Sequence, residues 1–313
     1  MDKKAILDCH TRILPFIHRT PILSSTLLND MVDAQLFFKC ENFQKMGAFK
    51  MRGATNAIMN LTESQKSKGV VTHSSGNFAQ ALSLAAKNLG VRAFIVMPEN
   101  APQVKVSAVQ GYGGIITQCE STIEARESAS NKIVEDTGAT FIHPSNDIDV
   151  ILGNSTSCLE LLEDHPDLEY IISPIGGGGL IAGTALSAQY FGRNCKVIGA
   201  EPKNVDDAFR SIKSGKIESN KTTYTIADGL RTQLGPLNFP IIQKHVEKII
   251  TVEEHEIINA MTLIFERLKI VIEPSSAVAF AAVVKEKDFF KNKKIGIILS
   301  GGNVDLQKLP FTF

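Results

Sequence analysis

The chain has no tryptophan and no net charge, with 33 lysines and arginines against 33 aspartates and glutamates in 313 residues. Nucleic-acid backbones and anionic membrane surfaces attract a basic excess, so this balance argues against both partners. No apolar stretch approaches the roughly 20 residues of a membrane span. The opening segment MDKKAILDCHTRILPF lacks the apolar core and small-residue cleavage site of a secretory signal. Cysteine is sparse: Cys9, Cys40, Cys119, Cys158 and Cys195 are scattered, odd in number and form no CxxC. That excludes a disulfide framework and a zinc knuckle, and it suits a reducing, cytoplasmic compartment. The histidines show no paired spacing, and His143, ending TFIHP, either lines a cleft or packs in the core.

Hydrophobic residues make up 43% of the chain, enough for a well-buried core over roughly two domains. Strand-like and helix-like stretches alternate. AQLFFKC, GVVTHS, VRAFIVMP, GGIITQC, EYIISPI, CKVIGA, KIITV and KIGIILS read as strands. Between them, FKMRGATNAIMNL and NFAQALSLAAKNLG read as helices, the second with Phe78, Leu82, Ala85 and Leu89 on one face and Gly90 at its end. STIEARESASNKIVEDTG opens on a capping box from Ser121 to Glu124, and TVEEHEIINAM starts another capped helix. Apolar strands alternating with helices predict an α/β protein whose parallel sheets are covered on both faces. The pattern predicts a small domain over 69–147, inserted into a larger one built from 1–68 and 148–313.

Three loops suit anionic or polar ligands. HSSGNFAQA carries more capping-competent residues ahead of its helix than one N-terminus uses. PIGGGGLIAG has four consecutive glycines, which cost backbone entropy and make sense where bare backbone wraps a phosphate. In LSGGNVDL, Ser300 ends an apolar strand, on the side where open α/β sheets bind ligands. Gly177, Gly179 and Ala182 also satisfy GxGxxA, with Glu201 placed for a ribose, so a dinucleotide-dependent oxidoreductase stays open on these residues alone. That reading leaves Lys50 of AFKMRG unexplained. An amine, a phosphate cup and a strand-end hydroxyl together are what pyridoxal phosphate requires.

Taken in order, RTPIL, AFKMRG, SSGN, GGGGL, EPSSA and LSGGN resemble the fold-type II pyridoxal-phosphate enzymes, tryptophan synthase β-like in fold. Within them the chain looks like the serine racemase and serine/threonine dehydratase group, which includes hydroxyaspartate dehydratases. The resemblance runs almost end to end. It implies that Lys50 is the Schiff-base residue and takes the α-proton, with Phe49 packed beside the cofactor ring. Ser74, Ser75, Gly76 and Asn77 would bind the substrate carboxylate, and Asn77 would also reach the cofactor. Gly176, Gly177, Gly178, Gly179 and Leu180 would hold the phosphate, and Ser300 the pyridine nitrogen. Ser75 stands where serine racemases carry the acid/base of the opposite face. Arg126 matches an arginine that reaches a second substrate carboxylate, the alternative being a helix-surface arginine.

Glu201, Val205 and Asp207 fall where the family binds a divalent cation, Mg²⁺, Ca²⁺ or Mn²⁺, through oxygen ligands. The resemblance implies elimination of water from serine, threonine or 3-hydroxyaspartate to a 2-oxo acid and ammonia, alongside serine racemisation. It also implies a homodimer without the regulatory domain of biosynthetic dehydratases. Gln80 and Tyr112 match positions near the nucleotide site of animal serine racemases. Two segments depart from the family. Phe78 and Ala79 stand where relatives commonly read His-Gly or His-Ala, and LGNSTS at 152–157 replaces GQGT. A non-catalytic cofactor-binding homologue is the other reading, against which the intact Lys50, Ser75, Asn77 and Ser300 argue.

Overall fold

Each apolar run forms a strand, and the strands sort into two sheets. The structure, a computed structural model, describes residues 1–101 and 103–311. The strands are β1 (Ile22–Leu23), β2 (Gln35–Cys40), β3 (Val70–His73), β4 (Ala93–Pro98), β5 (Ile115–Cys119), β6 (Thr140–Phe141), β7 (Tyr170–Pro174), β8 (Lys196–Pro202), β9 (Val246–Val252) and β10 (Lys294–Leu299). One sheet has the order β1-β2-β10-β7-β8-β9 and the other β5-β4-β3-β6. Only the edge pair β1–β2 is antiparallel. The central strands are buried along nearly their whole length, as β10 shows from Ile295 to Leu299, because helices cover both faces. No helix among the described residues is long and apolar enough to cross a membrane.

Helix Ile148–Asp164 is the spine of the fold, buried at every position from Val150 to Leu162. It packs against helix Lys50–Met59 with the two backbones in contact. A Cβ on Gly53 would lie 2.8 Å from the Val150 carbonyl oxygen, and one on Gly153 would lie 2.6 Å from the Gly53 Cα. Beside this crossing sits a fully buried quartet of charges. Arg52 donates from Nε and Nη2 to Glu41 at 2.8 and 2.9 Å, and from Nη1 and Nη2 to Glu160 at 2.7 and 2.8 Å. Lys39 Nζ donates to Glu160 at 2.7 Å and to the Thr20 carbonyl at 2.8 Å. Two cations and two anions cancel, and most of their hydrogen-bonding capacity is used. Removing one member leaves a buried charge unpaired, which typically costs about 3–5 kcal/mol.

Two helix starts differ from the sequence reading. Thr122, rather than Ser121, caps helix Ile123–Thr137, accepting from the Ala125 amide at 3.1 Å, while Ser121 donates to Asn100. At helix Asn77–Asn88 the N-cap is Gly76, with no side-chain cap at all. The serines ahead of it are therefore not consumed in capping.

Candidate active site

Lys50 opens helix Lys50–Met59 and is anchored to the end of β10. The Phe49 amide donates to the Ser300 carbonyl at 3.0 Å, the Gly302 amide donates to the Gly47 carbonyl at 2.8 Å, and Ala48 bridges Gly301. These contacts bring an amine from one strand-to-helix connection to the carboxyl ends of the others. Its Nζ donates to the Pro144 carbonyl at 2.6 Å. It also lies 5.0 Å from the centroid of the Phe49 ring and 5.6 Å from that of Phe78. Desolvation lowers the pKa of this amine to about 8, against the opposing pull of Glu273. Near neutrality such an amine exists in both protonation states, as a proton-transfer group requires.

The glycine loop leaves β7 and enters helix Gly179–Phe191, whose N-cap Gly178 adopts φ +82° without a side-chain cap. The glycines are needed on their outer side too. A Cβ on Gly176 would lie 2.9 Å from the Gly229 carbonyl oxygen, and one on Gly178 would lie 2.6 Å from Asn238 Oδ1. Asn238 secures the loop by donating to the Gly177 carbonyl at 2.8 Å and the Ser145 carbonyl at 3.2 Å. A helix start with no side-chain cap suits a phosphate.

The SSGN loop leaves β3 with Ser74, Ser75, Gly76 and Asn77 all half-buried. The Ser74 amide donates to the Val96 carbonyl at 3.1 Å, which continues the β3–β4 ladder into the loop. Asn77 is engaged on both ends of its amide: Nδ2 lies 3.0 Å from each Glu273 oxygen, and Oδ1 accepts from Asn303 at 3.0 Å. Ser300 is buried, with its hydroxyl 3.1 Å from that of Ser276. No carboxylate contacts Ser300 among the described residues' hydrogen bonds.

Three site residues escaped the sequence reading. Glu273 is 4% exposed, and burial followed by the Asp228 charge raises its pKa to about 7. Its signal was local: it is the N-cap before Pro274, a place that Ser, Thr, Asp or Asn normally takes, and its side chain caps nothing. Pro144 supplies the carbonyl for Lys50, and Asn303 ties the SSGN loop to the end of β10. His143 is half-buried, directly before Pro144. Its Nδ1 accepts from the amides of Ser145 and Asn146 at 3.1 and 2.8 Å, and burial, His73 and Lys50 lower its pKa to about 4.

Arg126 lies half-buried on the first turn of its helix, its Nε donating to the Thr122 carbonyl at 3.2 Å. With burial, its charge lowers the pKa of His73, the residue directly before the SSGN loop. Gln80 is buried and Tyr112 half-buried.

Glu201 ends β8 and is fully buried, accepting from the Ala208 and Phe209 amides at 3.0 Å each. Held at the start of helix Asp207–Ser214, it cannot reach a ribose, which removes the dinucleotide reading. Asp207, also fully buried, accepts from Asn220 Nδ2 at 2.9 Å and the Leu234 amide at 3.0 Å. Burial and the neighbouring Asp207 push the Glu201 pKa well up, and burial raises that of Asp207 to about 6. Val205 is buried in the turn between them. No group of three or more His, Cys, Asp or Glu side chains that could hold a metal occurs among the described residues. A cation here would need backbone oxygen as well.

A family profile described as "Pyridoxal-phosphate dependent enzyme" matches residues 13–301. A beta-hydroxyaspartate dehydratase of Paracoccus denitrificans is 48% identical, over 98% of this chain and 97% of its own. An L-threo-3-hydroxyaspartate ammonia-lyase of Saccharomyces cerevisiae is 45% identical, over 97% of this chain and 93% of its own. The crystal structure of the serine racemase from Dictyostelium discoideum superposes with a TM-score of 0.94 at 49% identity, covering 98% of this chain and 99% of that one.

Proposed function

Because the chain belongs to the pyridoxal-phosphate dependent enzyme family, we propose that it eliminates water from a small hydroxy amino acid and also inverts serine. Serine, threonine and 3-hydroxyaspartate are the candidate substrates, and the elimination products are a 2-oxo acid and ammonia. The observation that carries this reading is Lys50. Its amine is partly desolvated, close to neutral in pKa, and tied through Phe49 to the Ser300 strand end. The residues fit the cofactor: Lys50 for its aldehyde, the amides from Gly176 to Leu180 for its phosphate, and Ser300 for its ring nitrogen. When bound, pyridoxal phosphate supplies the electron sink that makes the substrate's α-proton removable.

The chain's own groups do the rest. The SSGN loop, at the uncapped start of helix Asn77–Asn88, offers hydroxyls and amides to the substrate carboxylate. Lys50 Nζ takes the α-proton from one face. Ser75, from the loop that holds the carboxylate, serves the other face and returns a proton there when the centre inverts. Ser300, a neutral hydroxyl beside Ser276, does not hold the ring nitrogen protonated as a carboxylate would. That favours prompt loss of the β-hydroxyl over long storage of charge. Arg126, whose charge acts on His73, would meet a second carboxylate and so admit 3-hydroxyaspartate.

Glu201, Asp207 and the Val205 carbonyl would hold a structural Mg²⁺, Ca²⁺ or Mn²⁺. Two fully buried acids, with the Asp207 charge adding to burial in raising the Glu201 pKa, are the observation in its favour. The test of function is incubation with L-serine, L-threonine and both diastereomers of 3-hydroxyaspartate, reading oxo acid, ammonia and product chirality. Lys50→Ala should abolish both turnover and the cofactor's visible absorbance. Turnover of no substrate by the cofactor-loaded protein, or undiminished turnover in Lys50→Ala, overturns the proposal.

A further inference from the structure

We propose that Phe78 is a positioning residue for Lys50: its ring, together with that of Phe49, walls the amine from water and keeps it against the Pro144 carbonyl. The inference rests on the reading that Lys50 carries the cofactor. Phe78 is the second residue of helix Asn77–Asn88 and is 2% exposed. The SSGN loop that is placed to bind the substrate therefore also delivers the wall. Its ring centroid is 5.6 Å from Lys50 Nζ, against 5.0 Å for Phe49, within reach of a cation–π contact. The two rings come from different parts of the fold. Phe49 belongs to the apolar cluster of Cys158, Leu161 and Leu180, whereas Phe78 belongs to the separate cluster of Met46, Ala79 and Leu82. Between them the amine has one acceptor, the Pro144 carbonyl at 2.6 Å.

The other groups facing this amine do not account for its lowered basicity. Glu273, at the start of helix Pro274–Lys285, pulls the pKa upward. His143, beside Pro144, is neutral above about pH 4. Ser300 and Asn77 carry no charge. Arg52, two residues along the same helix, spends its charge on Glu41 and Glu160. What remains is desolvation, the largest effect on this amine, and the two rings close to it, Phe49 and Phe78, are apolar surface that excludes water there. A ring contact attracts the ammonium, but exclusion of water disfavours it more, so the amine settles near neutrality. A histidine at position 78 would offer a polar edge and a path for water. Phenylalanine offers neither.

The test reads the amine without turnover. In the cofactor-free protein the neutral Lys50 amine attacks the aldehyde of added pyridoxal phosphate and one water is lost. The rate of appearance of visible absorbance therefore follows the unprotonated fraction of Lys50 across pH. The wild-type midpoint should fall near pH 8. Phe78→Ala, which lets water reach the amine, and Phe78→His, which keeps a ring but makes it polar, should each move the midpoint up by about one unit. Capture at pH 7 would then slow about tenfold. Phe78→Leu, still apolar, should keep the wild-type midpoint. Folding of each variant is checked by far-UV circular dichroism. A wild-type midpoint in folded Phe78→Ala or Phe78→His, or an upward shift in Phe78→Leu, overturns the role of Phe78. Absence of capture by the wild-type protein overturns instead the assignment of Lys50.

Discussion

Glu273→Gln should stabilise the cofactor-free protein, and only above a defined pH. Glu273 is 4% exposed, and burial, then Asp228, lifts its pKa from 4.5 to about 7, while Asn77 and Lys105 pull the other way. Because the folded-state value lies above the unfolded one, the fold holds a proton that the unfolded chain releases. Stability from this group is therefore fully present below pH 4.5 and is lost as pH rises to about 7. The shift of about 2.5 units corresponds to about 3 kcal/mol at 1.36 kcal/mol per unit. Glutamine has nearly the same shape, never ionises, and its carbonyl can still accept from Asn77 Nδ2. The variant should match wild type near pH 4.5 and exceed it by about 3 kcal/mol above pH 7.5. Urea unfolding of both proteins at several pH values reads this, since every other titrating group is common to the two. A difference that stays flat with pH, or a less stable variant at pH 8, would refute the reasoning. Removing the charge should also lower the Lys50 pKa further, because Glu273 is the one group that raises it.

Ser75→Ala should abolish interconversion of L- and D-serine while sparing elimination from the enantiomer that faces Lys50; an acid/base residue typically contributes about 10²–10⁴-fold. Chiral chromatography beside an oxo-acid assay decides, and undiminished racemisation would assign that face to another group. Arg126→Ala should cut kcat/KM on 3-hydroxyaspartate far more than on serine, by roughly the 1.5–3 kcal/mol of a hydrogen bond to a charged group; equal losses would return Arg126 to the helix surface. Chelation should lower the thermal midpoint and Mg²⁺ or Ca²⁺ should restore it, through linkage at Glu201 and Asp207. No change in either direction would leave these acids as buried caps of helix Asp207–Ser214.

The strands and the order of the loops were legible in the chain because both are local properties. A β-branched apolar run bounded by glycine or polar residues forms a buried strand wherever it lies, and a glycine run before a helix announces an uncapped N-terminus. The SSGN loop, the tetraglycine loop and Ser300 each sit at a strand end, and the ordered motifs joined Lys50 to them. Helix starts were less secure: Ser121 and Thr122 are both good caps, and the cap falls on Thr122. The electrostatic character of the site belonged to tertiary structure alone. Nothing near Glu273 in sequence shows that Asn77, 196 positions away, will meet it, or that burial will hold its proton to about pH 7. Lys39 and Arg52 meet Glu160, more than 100 positions away, only when helix Ile148–Asp164 packs against them. Phe78 read as one residue of an apolar helix face, and its ring meets Lys50 only because helix Asn77–Asn88 packs against helix Lys50–Met59. Periodicity tells which side of an element turns inward. Which charge is stripped of water, and by what neighbour, depends on the packing of residues distant in the chain.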